Sequence, residues 1–144
     1  MAYPSWPSSL PNFIQRDGFR RQRADGRLRS PTDLGPGKVR RKSSATVRTI
    51  TPQIWMTRVQ LERFGTFWDV DTKGGTLPFW FPEPGRHGFP MRSDDGGVLL
   101  SADGSPLLIS AMVLVMFSPD AEPPQDTTTA DDLWPVNLSL DIMP

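Results

Sequence analysis

Residues 39–51 read VRRKSSATVRTIT. Val39, Ser43, Ala45, Val47 and Thr49 fall on one side of an extended chain, and Arg40, Lys42, Ser44, Thr46 and Arg48 on the other. A period of two with recurring β-branched residues is the signature of a strand. Arg41 interrupts the inward side near the start, which marks a bulge or a sheet edge. Residues 133–143, LWPVNLSLDIM, repeat the pattern, with Val136, Leu138, Leu140 and Ile142 set against Asn137, Ser139 and Asp141. Between these stretches, TLPFWF (76–81) reads as an edge strand entered through Pro78. Residues 98–101 and 107–117 read as strands pairing across the Asp103-Gly104 turn, the second apolar on both sides and so expected to be buried on both.

One segment breaks the period. Over 57–70, Leu61, Phe64, Phe67 and Trp68 form a single helical stripe, and Thr57 with Gln60 makes a capping box ahead of it. Gly74-Gly75 ends the unit. The stripe is read as core. The expected fold is therefore mainly β: an antiparallel β-sandwich or small barrel with one α-helix and a long N-terminal arm. The expected division is an extended arm over 1–38 and a β-rich domain over 39–144. The arm carries five prolines, the turn pairs Asp17-Gly18 and Asp25-Gly26, a short hairpin expected over 19–26, and the aromatic anchors Tyr3, Trp6, Phe13 and Phe19. No internal repeat is visible.

Composition narrows function. The 144 residues include 16 prolines and 12 glycines, too many for a mainly helical chain. There is no cysteine and one histidine, which excludes disulfides, thiolate metal sites and sites needing several imidazoles. The longest apolar run, 107–117, is far short of the roughly 20 residues of a membrane helix, so no membrane insertion is expected. The N-terminus, MAYPSWPSS, has neither a charged nor an apolar leader region, so a soluble protein made in a cytoplasm is expected.

Chemistry is sparse. His87, in EPGRHGFP, has Glu83 and Asp94 as the nearest candidate partners for acid–base work, but a solvated loop histidine fits the context better. Asp94-Asp95-Gly96-Gly97 and Asp131-Asp132 lack the alternating oxygen ligands of a calcium loop. Gly35-Pro36-Gly37-Lys38 lacks the first glycine and the Ser/Thr of a phosphate loop. No catalytic residue, cofactor or metal is assigned, and the chain is not expected to be an enzyme.

Charge is more informative. The formal net charge is zero, with 16 cations and 16 acids. Through Ile50 there are 11 cations and 3 acids, a net +8, and the remainder carries 5 cations and 13 acids, a net −8. Opposed charge in two consecutive segments suits copies of one chain meeting head to tail. Candidate subunit-interface residues are Arg20, Arg21, Arg23, Arg40 and Lys42 on the basic side and Asp131 and Asp132 on the acidic side. An arginine-rich first third also fits a nucleic-acid-binding module.

A set of short elements recurs in order: Trp6-Pro7, Leu10-Pro11, Asp17-Gly18-Phe19, Arg29, Asp33, Gly35-Pro36 and Lys38–Arg41, then the helix, Gly74-Gly75, Leu77-Pro78-Phe79, and a terminal strand with Leu138, Leu140 and Ile142. In that order they resemble the small tail proteins of long-tailed bacteriophages, and more distantly the lambda-type minor tail protein M and distal tail proteins. The resemblance implies a structural virion protein without an active site. It would be a distal-tail or minor tail component forming a ring, hexameric or trimeric, that joins the tail tube protein to the tail-tip hub. It also implies assembly in the host cytoplasm, and DNA only as cargo passing through the channel. A head–tail connector or tail terminator is the alternative within that setting.

Overall fold

The computed structural model describes residues 2–12, 14, 19–127 and 132–144. Among the described residues ten strands form three antiparallel sheets, with a single α-helix, so the fold is mainly β as expected. The strands are β1 (Arg20–Arg23), β2 (Arg27–Ser30), β3 (Lys38–Arg41), β4 (Arg48–Thr51), β5 (Gln53–Thr57), β6 (Phe79–Pro82), β7 (Met112–Phe117), β8 (Gln125–Asp126), β9 (Leu133–Asn137) and β10 (Leu140–Ile142); α1 (Arg58–Thr66) follows β5. The sheet orders are β1-β4-β10-β7-β6, β5-β9-β8 and β2-β3.

The two larger sheets are joined by one bent ladder. Ile50 pairs with Leu140 and Gln53 with Asn137, so β4–β5 and β10–β9 keep one register across both sheets. The bend is at Pro52, which has no N–H to give to a ladder. Its carbonyl still accepts from Leu138 N–H at 3.0 Å. The inward residues on either side of the bend, Ile50, Leu140, Ile54 and Val136, fill one core together with Phe79, Phe81, Val115 and the helix.

The helix begins where its local chemistry puts it. Thr57 Oγ1 accepts from Gln60 N–H, and Gln60 Oε1 accepts from Thr57 N–H at 3.0 Å, so the capping box closes in both directions. After Thr66 the chain widens into one π-helical turn, Phe67–Asp71, which carries Phe67 into the core. The exit is left-handed at Lys73, Gly74 and Gly75. Gly75 is required twice over: its φ is +79°, and a Cβ there would lie 2.5 Å from the Trp68 ring. Trp68 in turn packs edge-on to Phe117, with centroids 4.5 Å apart.

The N-terminal residues complete the body. Ser5 bridges Trp80 in parallel, Trp6 N–H donates to Trp80 O at 2.8 Å, and Trp80 N–H donates to Pro4 O at 2.9 Å. Pro4 to Trp6 thereby cover the outer edge of β6, the kind of edge that otherwise invites aggregation. Trp6 and Leu10 are buried in the core. Phe13, Asp17 and Gly18 lie outside the described residues.

Three expectations are corrected. Residues 39–51 are two strands, β3 and β4, separated by an irregular stretch over 42–47. The hairpin over 19–26 does not form: β1 pairs with β4, and β2 pairs with β3. The physical reason is the otherwise unpaired edge of β4, which takes β1 as its partner, so that 24–26 becomes the root of a longer hairpin instead of its turn. The 107–117 segment is a strand only over Met112–Phe117, with one face in the core and the other carrying half-buried Leu114 and Met116 and exposed Met112.

Candidate functional site

The β1–β2 and β3–β4 segments form one long hairpin that changes character midway. Its inner half is the edge of the large sheet, with Arg21 opposite Ile50 and Arg23 opposite Arg48. Its outer half, β2 and β3, is exposed at every residue. We call this outer half the arm. The break between the halves is a bulge: three residues, 24–26, face six, 42–47. Gly26 O accepts from both Lys42 N–H and Ser43 N–H, at 2.7 and 3.3 Å. The irregularity follows directly after Arg41, the residue that disturbs the alternation in the sequence.

The arm carries cations on both faces. Arg27, Arg29, Val39 and Arg41 share one face, and Leu28, Ser30, Lys38 and Arg40 the other, by the cross-strand register. On the first face the charges are held. Asp25 Oδ1 accepts from Arg27 Nε and Asp25 Oδ2 from Arg29 Nη2, both at 2.8 Å. Arg41 donates to the carbonyls of Ser43 and Ser44 at 3.0 and 2.8 Å. On the second face, Lys38 and Arg40 have no ion pair among the described residues.

Arg27, donating from its guanidinium and from its backbone N–H, holds the Asp25 carboxyl down to about 2. A lowered carboxylate pKa adds stability above the unfolded-state value and loses it as pH falls through the folded value. The fork at the root of the arm should therefore persist through neutral and mildly acid solution and open only as pH approaches about 2. An NMR titration of the Asp25 carboxyl carbon checks this. A midpoint in the ordinary carboxylate range would mean that the fork is not formed.

The candidate residues are thus placed as follows. Arg20, Arg21 and Arg23 lie on β1, and Arg21 Nη2 donates to Pro84 O at 2.8 Å. Arg40 lies on the arm, and Lys42 follows it at the bulge. Asp132 precedes β9, on a different sheet from all of these. Asp131 lies outside the described residues. The structure does not bring the basic and acidic candidates together within the chain.

The ion pairs generalise the point. Asp25 pairs with Arg27 and Arg29 inside the basic half; Arg58–Glu62, Arg63–Asp71 and Arg86–Glu83 lie inside the acidic half. Among the described residues no ion pair joins the +8 segment to the −8 segment.

The expected pairing across the Asp103-Gly104 turn is present, with Leu100 bridging Pro106, but it belongs to a larger second excursion over residues 88–109 that the sequence does not reveal. Met91 N–H donates to Leu107 O, Leu107 N–H to Leu99 O, and Leu99 N–H to Met91 O, a closed cycle of three bonds at 2.7–2.9 Å. Two matching turns hang from it, Ser93–Gly97 and Ser101–Ser105, eight residues apart. In each, the Ser hydroxyl donates to the Asp carboxylate two residues on, and that carboxylate also accepts an N–H from the fifth residue. This is an eight-residue repeat, Ser-x-Asp-Gly-x, repeated too few times to stand out in the sequence. The serine hydroxyls hold Asp103 down to about 2. Phe89, Met91, Val98, Leu99, Leu100, Leu107 and Leu108 are all 39–57 % exposed here.

His87 Nδ1 lies 3.2 Å from Ala111 N–H, from which it accepts, and 3.1 Å from Ala111 O. It fastens its loop to the start of β7. Among the described residues, no three acids or histidines gather as a metal site, and no helix is long and apolar enough to cross a membrane. No family model, curated protein or solved structure matches the chain.

Proposed function

We propose that this chain is a self-assembling structural subunit whose basic arm reaches a neighbouring copy. The observation that carries the reading is the unneutralised charge split. The +8 segment is displayed on an exposed edge strand and arm, and no ion pair draws it to the −8 segment of its own chain among the described residues. Complementary patches of this kind orient and register association.

The resemblance to small tail proteins of long-tailed bacteriophages supplies the setting. The subunit would be a distal-tail or minor tail component of the virion, in a ring between tail tube and tail-tip hub. Six copies suit the tube and three suit the hub. A head–tail connector or tail terminator would use the same arm.

Light scattering across a salt series tests the reading. The Debye length falls from about 10 Å at about 0.1 M salt to about 3 Å at about 1 M. Oligomers should form at low salt and dissociate as it rises. A monomer at every salt and protein concentration sinks the proposal.

A second reading, nucleic-acid binding, is favoured by one observation: cations occupy both faces of a two-stranded ribbon, a form that fits the DNA major groove. It requires a mobility shift that weakens steeply with salt. No shift at low salt removes it.

A further inference from the structure

We infer that the tip of the arm, anchored by Leu34, seats in an acidic-rimmed groove beside Trp68 of a second copy of this chain. The inference rests on the self-assembly reading and names the two surfaces that meet.

The knob is unusual for a monomer. Leu34 is 94 % exposed, the most exposed large apolar side chain among the described residues. The tip is not slack around it, because Thr32 Oγ1 donates to Gly35 O at 3.1 Å across the turn. Burying a leucine is favourable, and nothing in its own chain takes up that gain. Lys38 and Arg40, the unpaired cations, stand on the strand that leaves the tip.

The groove is complementary. Two adjoining hollows, of about 270 and 360 Å³, share Trp68, Pro123 and Pro124. The smaller is floored by Leu61, Phe64 and Gly65, and a Cβ added at Gly65 would meet nothing within 4 Å. Glu122 lines one hollow and Asp126 the other; Glu122 accepts from Gln125 Nε2, and neither carboxylate has an ion pair among the described residues. An apolar floor rimmed by acids that lack a cation matches an apolar knob backed by cations that lack an acid. Every residue of the arm strands is exposed, so the arm does not fill its own chain's groove. Knob into groove is a heterologous contact, which closes into a ring or runs on as a filament.

The absence of cysteine makes the test clean. Leu34→Cys and Gly65→Cys are made as separate proteins, mixed at low salt and oxidised. Asp126→Cys replaces Gly65→Cys in a second mixture, so that one misfolded variant does not decide the result. The mixed disulfide is expected to exceed either homodimer by about tenfold, because docking raises the effective thiol concentration. In uncrosslinked protein, Glu122→Lys with Asp126→Lys should abolish oligomers, and adding Lys38→Glu with Arg40→Glu should restore them. If the wild type assembles but neither mixture crosslinks above the homodimers, this docking is overturned and self-assembly stands. If the wild type is monomeric throughout, both fall.

Discussion

Trp6→Ala is expected to destabilise the protein by about 3–5 kcal/mol, the usual cost of deleting a buried tryptophan. Trp6 is 6 % exposed and sits among Phe64, Phe67, Phe79 and Phe81, with ring centroids 5.1–6.2 Å away. Two of the four contacts are edge-on, the arrangement aromatic quadrupoles favour, each worth about 0.5–1.5 kcal/mol beyond its buried area. The substitution also removes the indole N–H that donates to Pro11 O at 3.3 Å. Those four rings come from the helix, its π-helical extension and β6, none of which collapses easily into the space vacated. Against a typical total of about 5–15 kcal/mol, the loss is a large fraction. Thermal unfolding should show a Tm lower by about 10–20 °C. Trp6→Phe keeps a ring in the site and should cost markedly less. A Trp6→Ala change below about 1 kcal/mol would mean that the N-terminal segment does not belong to the body.

That ring cluster also shows what is legible in a sequence of this kind. Trp6 stands out as an anchor, but its partners are 58 to 75 positions away, and nothing local names them. The helix start is legible because its determinants, Thr57 and Gln60, lie within one turn. The alternation of Val136, Leu138 and Leu140 is legible because inward residues recur at every second position, and all three are buried. The break between β9 and β10 is not, because the alternation continues unbroken while the chain passes from one sheet to the next. It falls opposite Pro52, between β4 and β5, which has no N–H to give to the ladder. The charge split is legible because charges sum without a fold. Its presentation on an exposed arm is not, because local turn chemistry favours Asp25-Gly26 as the hairpin turn, whereas the sheet's unpaired edge at β4 draws β1 to it. Of the candidate interface residues, the basic ones share a single hairpin, and Asp132 stands just before β9, a strand of another sheet. A sequence does not distinguish that placement from direct pairing of the two.

Excising the arm should separate assembly from folding. In the variant, residues 27–41 are replaced by Asn-Gly, which joins Gly26 to Lys42 through a two-residue turn of the type that suits a tight hairpin. The ends are already adjacent, since Lys42 N–H donates to Gly26 O at 2.7 Å. The deleted strands are exposed throughout and contribute no side chain to the core. What the body loses is the Asp25 fork, two solvent-exposed ion pairs that add little to stability in water. What it gains is a shorter loop, with a smaller entropy cost of closure. The two nearly offset, so Tm should stay within a few degrees of the full chain, about 1 kcal/mol or less. Assembly should vanish, because Leu34, Lys38 and Arg40 leave together. The pairing of a monomeric light-scattering mass with an unchanged melting curve is the expected result. Oligomers that survive the excision would place the self-contact on other surfaces, with the exposed apolar excursion over 88–109 the first to examine. A collapse in Tm would show instead that the arm belongs to the folding unit, against its exposure at every residue.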